Sequence, residues 1–122
     1  MTVYSETSKA AMQRDILDPG DGVLDFWDLD DVNPDLPLER QTDLLKEDLV
    51  QITFRGGITV DAGWYPSFSP EGRFRIGVIR NGDWTVPLWE AEARDLTGLV
   101  SALARAITLA RETSSGGESR AT

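Results

Sequence analysis

The sequence predicts an α+β domain: a four-stranded antiparallel meander over about residues 49–89, with one amphipathic helix over about 92–111 packed on one face. Three patterns predict it. Leu96, Leu99, Val100, Leu103 and Ile107 recur at intervals of three and four, which gives a helix a single apolar stripe. Val50, Ile52 and Phe54, then Ile58, Val60, Ala62 and Trp64, alternate with other residues as half-buried strands do. Gly56-Gly57 and Asn81-Gly82 punctuate the region, and both dipeptides accept the positive φ of a tight reversal.

Taken in order, residues 2–16 read as a short helix that Pro19-Gly20 would end. Residues 18–38 read as turn, acidic-apolar island, turn. The island, Val23 to Val32, has three readings: a strand added at a sheet edge, a strap over the protein's own core, or a docking segment with Phe26, Trp27 and Leu29 in another protein's groove. Residues 37–46 read as a connecting turn of helix with Leu38, Leu44 and Leu45 partly buried. Past the first hairpin, 66–72 is a loop rich in Ser, Pro and Gly, and Phe74, Ile76 and Val78 mark a third strand. Asn81-Gly82 should join it to a fourth strand carrying Trp84, Val86 and Leu88, an edge because Pro87 has no backbone donor. Trp84 and Trp89 then fall on opposite faces, and an exposed Trp beside an edge makes a contact anchor. Residues 113–122 have the composition of a disordered end. The chain thus divides into an acidic, partly irregular segment (1–48), a ββββα domain (49–112) and a tail (113–122).

A length of 122 residues suits one domain, and 40% hydrophobic content with four Trp and four Phe suffices for a core. Cysteine and histidine are absent. That excludes disulfides, thiolate metal sites, cysteine nucleophiles and the usual neutral-pH general base. The polar opening lacks the apolar core of a signal peptide and no run approaches membrane-spanning length, so a soluble cytoplasmic protein is expected. The net charge of −9 is unevenly placed: residues 1–49 hold thirteen acids and four bases, and residues 50–122 hold eight of each. Such a field favours a basic partner and disfavours duplex DNA.

Candidate sites follow from this. The partner-binding set is Asp25, Phe26, Trp27, Asp28, Asp30, Asp31 and Asp35, with Trp89 as an anchor. Strand alternation places Arg55, Thr59, Asp61, Tyr65, Arg73, Arg75 and Thr85 on the side of the sheet away from the helix. Arginines and aromatics on an uncovered sheet bind single-stranded nucleic acid by phosphate pairing and base stacking. The order of four strands then one helix resembles the positive-cofactor family of transcription coactivators, which implies a single-strand-binding dimer; strand alternation, and no family motif, would give it Arg55, Tyr65, Arg73 and Arg75. A calcium loop starting at Asp31 fails where Gly and Glu are required, at Leu36 and Thr42. Asp61 with Glu71 or Asp83 has no spacing that specifies acid-base chemistry, and Gly56-Gly57 and Gly20-Asp21-Gly22 lack the lysine and helix of a phosphate loop. The expectation is therefore a non-catalytic regulator without metal or cofactor, of antitoxin, immunity or inhibitor type, binding a basic protein. The alternatives are the single-strand-binding homodimer and a structural or assembly component.

Overall fold

The structure, a computed structural model, describes residues 20–121, with side chains over residues 20–114. The helix expected over 2–16 lies outside the described residues. The fold is α+β, an antiparallel sheet with the C-terminal helix packed on it. The strands are β1 (Val23–Trp27), β2 (Val50–Phe54), β3 (Ile58–Tyr65), β4 (Arg73–Arg80) and β5 (Trp89–Ala93), in the order β1-β2-β3-β4-β5, each antiparallel to its neighbour. The helix α1 spans Leu96–Ala121.

The sheet has five strands where the sequence predicts four. The additional one is β1, the edge-strand alternative for the acidic-apolar island, and its register shifts between Leu24 and Phe26 around Asp25. That irregularity breaks the alternation by which a strand is recognised. The last strand is also displaced. Asn81-Gly82 does make the tight turn: both take positive φ, 54° and 72°, and the Asp83 N–H donates to the Arg80 carbonyl over 3.0 Å. Pairing then fails to resume at Trp84. The Thr85 N–H bonds to Asp83 Oδ1 in a local turn, and Pro87 offers no donor, so Trp84–Leu88 remains a loop. The ladder restarts at Leu88, whose N–H meets the Val78 carbonyl at 2.8 Å, and continues through Trp89–Ala93.

Because Glu92 and Ala93 belong to β5, the helix begins at Leu96 rather than 92. Asp95 caps it, Oδ1 accepting from the Gly98 N–H at 2.7 Å. Leu99, Ala102, Leu103, Ala106, Ile107 and Ala110 form its buried stripe across β3, β4 and β5. The backbone stays helical through 113–121, where composition predicts a disordered end; intrinsic propensity does not account for this, since Gly116 and Gly117 each cost about 1 kcal/mol relative to Ala.

Val50, Ile52, Phe54, Ile58, Val60, Ala62, Trp64, Phe74, Ile76 and Val78 supply the sheet's half of the core. Residues 28–49 run as a strap containing two single 3-10 turns, Leu38–Arg40 and Thr42–Leu44, and they add Leu29, Val32, Leu45 and Leu49 to that core. Gln41, the buried polar residue of the described chain, pins the strap: its amide donates to the carbonyls of Asn33 (2.7 Å) and Leu36 (3.2 Å) and accepts from the Asn33 N–H (2.8 Å). Among the described residues no helix is long and apolar enough to cross a membrane.

Candidate functional site

Strand register decides which polar side chains share the face away from α1. On β3 the outward positions are Thr59, Asp61, Gly63 and Tyr65, and on β4 they are Arg73, Arg75, Gly77 and Ile79, with Glu90 and Glu92 beside them on β5. Arg73 bonds Glu92 at 3.1 Å and Arg75 bonds Glu90 at 2.8 Å, so both arginines of this face already hold a carboxylate. Arg55 is not on this face but in the turn Arg55–Gly57, and Thr85 is in the loop after β4.

Where β2 would extend backwards along β3, the pairing is interrupted. The Leu49 N–H donates to the Ala62 carbonyl at 3.0 Å and the Trp64 N–H to the Lys46 carbonyl at 2.8 Å. Glu47 and Asp48 therefore stand opposite the single residue Gly63, as in a β-bulge. Gly63 is obligatory there, because a Cβ would come within 1.6 Å of the Glu47 carbonyl oxygen. The bulge turns Glu47 and Asp48 to the surface, where they line an open groove of about 400 Å³ with Phe26, Asp28, Ser67 and Phe68. Phe68 has φ 63°, its N–H donates to the Leu45 carbonyl at 2.8 Å, and its side chain is left 54% exposed. Lys46 also lines the groove, but its ammonium is paired with Asp28 at 2.9 Å. Neither Glu47 nor Asp48 has an ion-pair partner among the described residues.

The groove adjoins a second feature on the open face. Burial, then the charge of Asp48, lifts the Asp61 carboxyl to about 6. Burial also raises the Tyr65 hydroxyl, helped by Asp61, Glu47 and Asp48 and opposed by Arg75. The carboxylate acting on Asp61 is thus Asp48, and not the Glu71 or Asp83 that sequence offers.

The residues singled out from sequence do not form one surface. Asp25 Oδ2 accepts from Gln51 Nε2 at 3.1 Å and from the Thr53 hydroxyl, tying it to its own sheet. Trp27 packs on the core, and its indole N–H donates to Asp30 at 2.9 Å. Of Phe26 and Trp27, the residues a strap would lay on the core, Trp27 packs there and Phe26 lines the groove, while Leu29, 1% exposed, and Val32, 3% exposed, are core residues. Asp28, Asp30, Asp31 and Asp35 point outward. Trp89 lies on the opposite edge strand and on the helix side, packed on the core with the Arg105 guanidinium 5.9 Å from its ring. Sequence reasoning misses Glu47, Asp48 and Phe68 altogether. Gly63, a glycine within a strand pattern, is the one signal of the bulge that presents the two acids. No group of three or more carboxylates among the described residues is arranged to hold a metal ion.

Comparison with known protein families, with curated proteins and with solved structures gives no match.

Proposed function

We propose that the protein is a non-catalytic, protein-binding regulator that engages a basic partner surface through the acidic and aromatic groove beside β1, together with the outward carboxylates of the strap. The observation that supports this most is the division of labour in residues 26–68. Leu29, Val32, Leu45 and Leu49 of the strap are spent on the core, whereas Glu47 and Asp48, with no ion-pair partner among the described residues, stand on a bulge next to the exposed ring of Phe68. Carboxylates around an aromatic suit a partner presenting arginine and lysine, and an acidic inhibitor, immunity protein or antitoxin occupies a positive cleft by such chemistry. Binding of single-stranded nucleic acid is less well supported, because Arg73 and Arg75 would have to give up Glu92 and Glu90.

Fluorescence anisotropy with a labelled arginine- and lysine-rich peptide, and separately with labelled oligo(dT), tests the reading. The peptide should bind the wild type, weaken at least tenfold in Glu47→Gln with Asp48→Asn, and not be weakened by Arg73→Gln with Arg75→Gln. Oligo(dT) binding lost in the arginine variant, without peptide binding, would replace this reading with the nucleic-acid one.

A further inference from the structure

The open face of the sheet also contains a place for one particular side chain of such a partner. Asp61, Tyr65, Arg75 and Trp84 line a recess of about 340 Å³. An absent side chain makes it possible. Gly77 faces Asp61 across the β3–β4 ladder, and a Cβ on it would lie 3.0 Å from the Trp84 ring, so the indole rests on bare backbone beside the carboxylate. Trp84 belongs to the loop that fails to pair as a strand, and it stays 45% exposed. Asp61 is half-buried, yet it has no hydrogen-bond or ion-pair partner among the described residues.

Charge decides what such a recess accepts. Its own cation, Arg75, is engaged twice: the guanidinium stands 5.3 Å from the centre of the Tyr65 ring and bonds Glu90 at 2.8 Å. Asp48 and Asp61 then leave the surroundings negative, which repels an anion and leaves one carboxylate uncompensated. A desolvated carboxylate beside an indole matches a planar cation that can stack and donate a forked pair of hydrogen bonds. Arg75 on Tyr65 shows the same pairing of guanidinium and aromatic within the chain.

We infer that the Asp61–Trp84 recess binds a single arginine side chain of the partner, its guanidinium stacked on Trp84 and hydrogen-bonded to Asp61. This rests on the basic-partner reading, but the recess is separable from the groove at Phe68 and is tested separately.

The probe is Nα-acetyl-arginine amide, titrated into the ¹⁵N-labelled full chain and followed at the Trp84 indole N–H, with Nα-acetyl-lysine amide as the comparison. The arginine compound should shift the Trp84 signal saturably and at least fivefold more tightly than the lysine compound. Asp61→Asn should weaken it at least tenfold while the rest of the spectrum remains that of the folded protein. An unshifted Trp84 signal, equal response to lysine, or unchanged affinity in Asp61→Asn overturns the inference. The basic peptide, read at Phe68 and Glu47, separates the two claims. Arginine bound at Trp84 without peptide at Phe68 supports the recess and removes the groove, and the reverse result overturns the recess alone.

Discussion

At Phe68 the backbone sits at φ 63°, where a Cβ crowds the following carbonyl and an L-residue pays roughly 1–2 kcal/mol. The bond from its N–H to the Leu45 carbonyl holds the residue there. Comparing two truncations isolates this cost, since both remove the ring. Phe68→Gly should be more stable than Phe68→Ala by about 1 kcal/mol in denaturant unfolding, the reverse of the order at an ordinary position. An Ala variant equal to or more stable than Gly would show that the conformation carries no strain. Asp61 is the matching case in electrostatics. Its folded carboxyl titrates near 6 against an ordinary value of 3.8, so the native state binds the proton more tightly than the unfolded chain. Stability from this group is complete below about 3.8 and is lost as pH rises through 6. Allowing for solvent screening of a half-exposed group, Asp61→Asn should stabilise the protein by about 1 kcal/mol at pH 8 and by nothing at pH 4. A constant difference across that range would remove the assignment.

Among the elements, the bulge at Glu47–Asp48 shows how a strand irregularity produces a site. Gly63→Ala would drive a methyl into the Glu47 carbonyl, which is backbone and cannot swing aside. We expect a loss of about 3 kcal/mol or more in unfolding free energy. Gly77→Ala should cost less than about 1 kcal/mol, because its 3.0 Å neighbour is a Trp84 ring carbon on an exposed loop. Similar costs at both glycines would contradict this account of the open face. The same contrast explains what could be read from sequence. β2 and the helix stripe follow their periods, from Val50–Ile52–Phe54 to Leu99–Leu103–Ile107, and β3 and β4 do so except at Gly63, Gly77 and Ile79, which are buried on the outward face. β1 is ambiguous in the sequence because Asp25 interrupts its register, and β5 lies later than the pattern predicts because a genuine turn at Asn81-Gly82 is followed by Asp83, Thr85 and Pro87, which favour a loop. The acidity of the site was legible. Its arrangement was not, since Glu47 and Phe68 meet only through the bulge, and Asp61 and Trp84 only through the register and a loop folded onto Gly77.

At the scale of the whole molecule, the charge that the sequence places in residues 20–49 becomes a charge on one side of the sheet. That segment forms the β1 edge, the strap and the bulge, while β4 and β5 at the other side match Arg73 and Arg75 against Glu92 and Glu90. An uneven field of this kind acts over roughly the 10 Å reach of charge at 0.1 M salt, so it steers encounter more than it holds a formed complex. Asp28, Asp30, Asp31 and Asp35 face solvent, and the Asp28–Lys46 pair is exposed enough to contribute little stability, so neutralising all four to Asn should leave the fold intact. Stopped-flow mixing with the basic peptide should then show two things. The wild-type association rate should fall about tenfold or more between 50 and 300 mM salt, with dissociation nearly unchanged. The fourfold variant should begin near the high-salt rate and respond weakly to further salt. A variant that associates at the wild-type rate but dissociates faster would mean that these carboxylates hold the formed complex as direct contacts and do not steer its encounter.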